Sequence, residues 1–294
     1  MIVDVHTHLP THRGEVPPDE VETATIHRSG TSVRFTNSLA DYLEAMAGVD
    51  RAITFGLAPR PWAPEGELMK LKGWPADMNY NDVAAAVARE SGGKIIPFMS
   101  VHPMDPKWEA EYDRCIGDLG CRGMKLGLNY QDCDPLSNEA LKVFARLERD
   151  GLPVVFHMGT SPETDAPLEY AHPLKMDRAA ILFPKLKMVL AHLAHPWHAD
   201  CLAVVRKHPN VWADVSAQFY RPWSFWSGMR LFHEWGVLGK VLFATDWPVT
   251  VAQDNIDALR GLAKFARDCH LPVIPEQEIE GIINRDALEI LGLE

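Results

Sequence analysis

The sequence predicts an α/β fold, a (β/α)8 barrel of the TIM type that spans residues 1–294 as a single domain. Short apolar runs recur eight times along the 294 residues, and each is followed by a longer amphipathic stretch. Strands that alternate with helices favour a parallel sheet covered on its outer face. Eight such units are the number that closes a barrel, and one barrel of this kind occupies roughly 250 residues.

The eight predicted strands are rich in Val, Ile, Leu, Phe and Met. In chain order they are Ile2–His6, Ala52–Gly56, Ile95–Val101, Gly123–Leu126, Val154–His157, Met188–His192, Val211–Ser216 and Val241–Thr245. Continuous short apolar runs of this length are typical of strands that are buried on both faces.

Amphipathic helices are predicted between the runs. One begins near Leu39, where Ser38 can cap its first turn. A second surrounds Leu141, with Asn138 as its expected cap and an end before the following Gly-Leu-Pro. Apolar residues at helical spacing between positions 279 and 290 predict one final outer helix.

Two long connections follow the first and second predicted strands, at residues 10–37 and 58–79. Both would emerge at the carboxyl ends of their strands, where barrel enzymes build their active sites. Loops longer than about 12–15 residues in compact domains are usually functional or disordered. We therefore expect either a lid or substrate wall, or a tolerated insertion.

Composition narrows the classes of function. Lys and Arg number 29 against 40 Asp and Glu, a formal net charge of −11. This excess of acid argues against a nucleic-acid partner and against binding to an anionic membrane. The five cysteines form no CxxC pair, and the N-terminus lacks the features of a signal peptide. We expect a soluble cytoplasmic protein that acts on a small molecule, with a homodimer as the default assembly.

Polar side chains stand at the ends of four predicted strands. His6 and His8 end the first run, and side chains two apart in a strand point to the same face. His157 and His192 end the fifth and sixth runs, and Asp246 follows the eighth. Imidazole and carboxylate groups are ligands that zinc accepts, and manganese or iron would also fit. We expect one divalent metal ion, most readily zinc, at the mouth of the barrel.

Five segments around these residues have a recognisable order. They are VDVHTH at 3–8, GMKLG at 123–127, FHMGT at 156–160, AHLAHPW at 191–197 and ATDWP at 244–248. As a set they resemble the amidohydrolase superfamily, in particular its amidohydrolase-related branch of lactone hydrolases and aminocarboxymuconate-semialdehyde-decarboxylase-like proteins. The resemblance covers essentially the whole chain.

The resemblance implies roles for individual residues. The implied metal ligands are His6, His8, His157 and Asp246. Asp246 would also accept a proton from the attacking water, and His192 would orient or deprotonate that water. Lys125 ends the fourth run, where this branch usually carries an unmodified lysine. It would hold a substrate carboxylate or carbonyl, unless it pairs with a carboxylate of the barrel.

Three further residues are candidates for contact with substrate. Tyr130 follows the fourth run, His172 lies in a proline-rich loop, and Trp247 follows the eighth run. Each also has a structural interpretation, because large aromatic side chains dominate protein cores.

The resemblance leaves two reactions open. One is hydrolysis of a lactone, ester or amide-like bond of a small carboxylate-bearing or aromatic substrate. The other is nonoxidative decarboxylation of an aromatic or unsaturated acid. Decarboxylases of this branch tend to carry His-Pro-Trp after the fifth strand, whereas here that unit follows the sixth, at His195, which favours hydrolysis. A barrel that only binds a metal or ligand is the third interpretation.

Overall fold

A computed structural model describes residues 1–26, 31–63 and 71–294. Within these ranges the strands are β1 (Val3–His8), β2 (Thr23–Ile26), β3 (Thr31–Arg34), β4 (Arg51–Phe55), β5 (Ile95–Pro97), β6 (Met124–Leu126), β7 (Val154–Phe156), β8 (Met188–Leu190), β9 (Val211–Asp214) and β10 (Val241–Leu242). The α-helices are α1 (Leu39–Ala45), α2 (Tyr80–Glu90), α3 (Trp108–Gly117), α4 (Asn138–Asp150), α5 (Leu174–Leu182), α6 (His198–Lys207), α7 (Pro222–Glu234), α8 (Ala252–Asp268), α9 (Glu276–Ile283) and α10 (Ala287–Leu291).

Eight of these strands are parallel and form the predicted (β/α)8 barrel. Strands β1, β4 and β5 pair in one group, and β6 to β10 pair in a second. Backbone hydrogen bonds connect the two groups at both edges. The Val5 amide donates to the Phe243 carbonyl at 3.1 Å, and the Lys125 amide donates to the Met99 carbonyl at 2.8 Å. The expected fold class is thereby confirmed.

The interior of the barrel is apolar. Every second residue of a strand points inward, so Val155 of β7 packs with Val5 and Ile53, while its neighbours Val154 and Phe156 pack outward against the helices. Helix α10 belongs to the same interior cluster through Leu288 and other buried side chains. The C-terminal helical pattern is therefore two helices, because Asp286 caps a new helix after Ile283 and α10 packs with the strands of the interior.

Helix caps agree with the sequence in one case and differ in another. The Ser38 hydroxyl accepts from the Asp41 amide at 3.0 Å and caps α1 as expected. In α4 the cap is Ser137, whose hydroxyl accepts from the Ala140 amide at 3.2 Å, so the assignment to Asn138 is wrong. Both residue types can cap a helix, and sequence alone leaves the boundary uncertain by a residue or two.

The long connection at residues 10–37 contains an antiparallel hairpin, β2–β3. The connection at residues 58–79 is described only in part, since residues 64–70 lie outside the described residues. In the described ranges, none of the helices combines the length and the apolar character that crossing a bilayer requires.

Candidate active site

The predicted histidines and Asp246 lie together at the carboxyl ends of the barrel strands. The Oδ1 atom of Asp246 is 3.1 Å from Nε2 of His6 and 3.0 Å from Nε2 of His8. Nε2 of His192 is 3.3 Å from Nδ1 of His157. One nitrogen or oxygen atom from each of His6, His192 and Asp246 lies within 4.8 Å of the others. Five side chains from four separate parts of the chain therefore form one cluster.

Two residues of the cluster have unusual backbone conformations. His192 and Asp246 have φ angles of 61° and 65°, in the left-handed region. Residues other than glycine adopt this region at a cost and are held there by surrounding structure, often at functional sites. For Asp246 the restraint includes its own amide, which donates to the His6 carbonyl at 2.9 Å.

Burial and the neighbouring groups together set the protonation of the cluster. Burial would raise the pKa of Asp246, but the neighbouring His192 and hydrogen bonds from His6 and His8 hold it well below its usual range. Burial lowers the pKa of His192 to about 4 and lowers the pKa of His157 well below its usual value. At neutral pH the side chains of Asp246, His192 and His157 are therefore proton acceptors.

Lys125 lies inside the barrel, directly beside this cluster. Its Nζ atom is 3.1 Å from Nε2 of His6 and 4.6 Å from the centre of the Phe55 ring. Burial lowers the pKa of Lys125 to about 8, although Asp246 and Asp214 act in the opposite direction. The lysine is a buried cation that contacts a predicted metal ligand.

The cluster has the chemistry that a divalent cation needs. Its atoms are imidazole nitrogens and carboxylate oxygens, which zinc, manganese and iron all accept. His157 gives a specific indication, because its Nε2 atom is 3.2 Å from the Thr160 carbonyl, an acceptor only. The proton of the neutral ring therefore resides on Nε2, and Nδ1 directs a lone pair at His192. The residues present fit a metal ion between these rings.

Two functional candidates in the cluster were not predicted from the sequence. Asp214 ends β9 and lies fully buried, and its Oδ2 atom is 3.1 Å from Nδ1 of His6. The Ser216 hydroxyl contacts Asp214 Oδ1 and lies 2.7 Å from Nδ1 of His192. Both belong to the seventh apolar run and stand two residues apart, the same spacing that identified His6 and His8. That signal could have found them.

A cavity of about 510 Å³ opens above the cluster. His157, His192 and Asp246 line its floor, and the β2–β3 hairpin with the segment that follows contributes Ala24, Thr25 and Phe35 to its wall. The remaining lining residues are Tyr130, Met158, Thr160, Ser161, Pro162, His195, Ala217, Gln218, Tyr220, Arg221 and Val249. The connection after β1 therefore contributes to the wall of this cavity through Ala24, Thr25 and Phe35.

Arg221 is a further residue that sequence reasoning missed. Among the described residues that line this cavity, it has the only side chain that is always positively charged. Its Nη1 atom donates to the Ala217 carbonyl at 2.9 Å, and its guanidinium stacks 4.4 Å from the Tyr220 ring centre. Burial lowers its pKa while the charge of Asp246 acts in the opposite direction, so the two groups are within electrostatic reach.

The three predicted substrate contacts have different positions. Tyr130 lines the cavity, and its ring lies 4.7 Å from that of His157. Trp247 is not among the lining residues. It is buried, and packs 4.9 Å from the Tyr42 ring, because its backbone pairs with β1.

His172 also lies away from the cavity. Its ring stacks 4.6 Å from Trp197, and its Nε2 atom is 3.7 Å from a carboxylate oxygen of Asp200. The proline-rich loop places this side chain against α6, so the structure does not bring it together with the histidine cluster.

Solved structures resemble this chain over nearly its full length. An uncharacterised TIM-barrel protein from Bordetella bronchiseptica is 20% identical, with 99% of this chain and 98% of that one covered and a TM-score of 0.67. A probable 2-pyrone-4,6-dicarboxylic acid hydrolase from Acinetobacter baumannii, solved with citric acid, is 15% identical, with coverage of 99% and 99% and a TM-score of 0.61. A dihydroxybenzoic acid decarboxylase from Polaromonas, solved with manganese and 2-nitroresorcinol, is 14% identical, with coverage of 99% and 97% and a TM-score of 0.61.

These identities establish a shared fold alone. No curated protein matches this sequence. The sequence profile described as amidohydrolase matches residues 3–293, a range that includes every residue of the histidine cluster and the eight barrel strands. The resemblance expected from the sequence motifs is thus confirmed, and the chain belongs to the amidohydrolase family.

Proposed function

We propose that this protein is a metal-dependent hydrolase that cleaves a lactone, ester or amide-like bond of a small, flat carboxylic acid. One observation carries the proposal. The same cavity contains a cluster of nitrogen and oxygen ligands on its floor and the guanidinium of Arg221 on its wall. A substrate that bears a carboxylate can bind the arginine while its reacting carbonyl reaches the cluster.

The proposed metal ligands are His6, His8, His157 and Asp246, with His192 beside them. A bound divalent cation would lower the pKa of water and polarise a carbonyl group. Zinc suits these ligands, and manganese is an equal candidate because a similar barrel, the Polaromonas decarboxylase, was solved with it.

Protein side chains would accept the proton of the attacking water and bind the carboxylate of the substrate. Asp246 would accept the proton of the attacking water, and His192, through its unprotonated Nε2 atom, would accept a hydrogen bond from that water and orient it. Arg221 would bind the carboxylate of the substrate through paired, charge-assisted hydrogen bonds. Tyr130 and Phe35 would flank a planar ring. Asp246 would return the proton to the leaving group, so that the site is ready for the next turnover.

Decarboxylation is the second candidate. The walls of the cavity are largely apolar and aromatic, which suits an aromatic acid, and the Polaromonas structure contains a decarboxylase with an aromatic inhibitor. In that reaction the carbon–carboxylate bond breaks, carbon dioxide leaves, and one proton from the solvent or the site replaces it on carbon.

Proton balance distinguishes the two reactions. The metal-loaded protein is incubated in weakly buffered solution with a panel of lactones and of hydroxybenzoates. Hydrolysis of a lactone releases a proton and no carbon dioxide, and we expect this result. Decarboxylation consumes a proton and releases carbon dioxide, and that outcome would replace hydrolysis as the assigned reaction. The absence of turnover across both panels would count against both.

Replacing Arg221 by Met should weaken the binding of carboxylates about 10–100-fold, since hydrogen bonds to charged groups contribute about 1.5–3 kcal/mol. Calorimetry with 2-hydroxybenzoate and the neutral 2-hydroxybenzamide measures the effect. The amide is the matched ligand control, and its weaker binding should be the same in both proteins. Arg260→Met, which removes an exposed arginine of α8, is the protein control. Equal carboxylate affinity in wild type and Arg221→Met would refute the assignment.

A further inference from the structure

We propose that Asp214 and Ser216 are positioning residues that select the tautomers of His6 and His192. Both rings then carry a proton on Nδ1, and the neutral His192 ring directs an unprotonated Nε2 atom at the cluster. The inference extends beyond the proposed function, because it holds whether the site performs hydrolysis or decarboxylation. It rests on hydrogen-bond geometry among fully or nearly fully buried side chains.

Asp214 can only accept hydrogen bonds. An aspartate side chain is ordinarily ionised at neutral pH. The Oδ1 atom of Asp214 accepts from the backbone amides of His192 at 2.9 Å and of Ser216 at 3.0 Å. An ionised carboxylate has no proton to donate, so each side chain that contacts it must supply one.

The Ser216 hydroxyl connects the Asp214 carboxylate to the His192 ring. A hydroxyl group has a single hydrogen, and the close contact with Asp214 Oδ1 needs that hydrogen. The hydroxyl oxygen must then accept at its second contact, 2.7 Å from Nδ1 of His192. The Ser216 carbonyl, also an acceptor, lies 3.4 Å from the same nitrogen. Both contacts require a proton on Nδ1 of His192, so the neutral form of this ring has none on Nε2.

His6 also contacts the Asp214 carboxylate, without an intervening hydroxyl. Its Nδ1 atom is 3.1 Å from Asp214 Oδ2 and must donate to it. Its Nε2 atom faces Asp246 and Lys125 at 3.1 Å each. One buried carboxylate at the end of β9 therefore orients a ring on β1 and a ring after β8. Hydrogen bonds to the distal nitrogen of a metal-binding histidine fix its tautomer in this way.

The orientation of the His157 ring also fits a cation in the cluster. His157 directs an unprotonated Nδ1 atom at Nε2 of His192, at 3.3 Å. If both nitrogens lack protons, two lone pairs face each other in a buried space. A cation placed between these side chains satisfies both, which is the role that the selected tautomers would serve.

The tautomers can be measured without any substrate. The full-length protein is labelled with ¹⁵N-histidine, and ring-nitrogen shifts are recorded before and after addition of zinc, with signals assigned by loss in His6→Gln and His192→Gln. In the metal-free wild type we expect His192 to be protonated on Nδ1 and unprotonated on Nε2, and Nδ1 of His6 to be protonated. Ser216→Ala should shift His192 toward the other tautomer, whereas Nδ1 of His6, which lies 3.4 Å from the Ser216 hydroxyl, should keep its proton because Asp214 still accepts from it. Asp214→Asn should alter both rings.

Metal affinity provides the second readout. Competition with a chelator should show zinc binding weakened about 10–100-fold in Asp214→Asn, with a smaller loss in Ser216→Ala. Ser216→Thr, which keeps the hydroxyl, should restore the wild-type tautomer and affinity. Ser224→Ala is the matched control, because Ser224 also contacts a histidine at the cavity, His195 at 3.1 Å, but lies outside this network.

Two results would overturn the inference. The first is a wild-type His192 that carries its proton on Nε2. The second is a Ser216→Ala protein with the wild-type tautomer and zinc affinity, a comparison that stands even if Asp214→Asn does not fold. Since neither measurement depends on turnover, the inference and the proposed function can fail separately.

Discussion

Asp246→Asn will lower kcat/KM by about 10²–10⁴-fold, the usual contribution of a positioned proton acceptor. An amide cannot accept the proton of the attacking water. Its nitrogen would also direct hydrogens at Nε2 of His6 and His8, the atoms that lie 3.1 and 3.0 Å from the carboxylate. Steady-state kinetics on the substrate identified by the two panels measures the loss, and elemental analysis measures the metal content.

The control for this change is Asp257→Asn, the same substitution at an exposed position of α8. It should leave both kinetics and metal content at wild-type values. An Asp246→Asn protein that kept wild-type kcat/KM would show that this carboxylate neither accepts a proton nor holds a required ion.

Removal of the metal will abolish turnover and lower the thermal stability. A ligand at 100 times its dissociation constant stabilises the folded state by about 2.7 kcal/mol, which corresponds to a fall in Tm of about 4 °C when it is removed. The physical reason is that His157 and His192 then face each other with nothing between their nitrogens. Dialysis against a chelator followed by differential scanning calorimetry tests this.

Adding metal ions back distinguishes the loss of a specific ion from other effects of the chelator on the protein. Zinc, manganese and iron(II) are added back singly at one concentration, and an ion that binds more tightly should raise Tm further, while magnesium, which prefers oxygen ligands, should not raise it. Full activity in protein that retains no detectable metal would contradict the proposed centre.

The sequence was sufficient to predict the histidine cluster because the rule behind it is geometric. Parallel strands end at one rim, so a polar residue that follows an apolar run must lie at that rim. His6, His157 and Asp246 satisfied this rule and lie together in the structure. The same rule, applied to the seventh run, also predicts Asp214, which lies within the predicted strand and ends β9.

The positions of other residues could not be predicted, because the rule does not say which way a side chain points after a strand ends or which path a loop takes. Trp247 also follows a strand, but its backbone pairs with β1 and turns the ring toward Tyr42. His172 and Arg221 both lie in loops beyond the strands, and only the path of each loop determines that one faces α6 and the other the cavity.

The β2–β3 hairpin bears on how the substrate selectivity of such a protein can change. The side chains that would hold the ion come from the rigid rim of the barrel, whereas Ala24, Thr25 and Phe35 belong to one continuous excursion between β1 and α1. Grafting a different excursion of this kind would reshape the entrance while every ligand atom stayed in position. Under the proposed function, part of the substrate selectivity would therefore be encoded in a stretch that holds no metal ligand, with Tyr130 and Arg221 adding to it from other loops, which makes this loop a target for redesign.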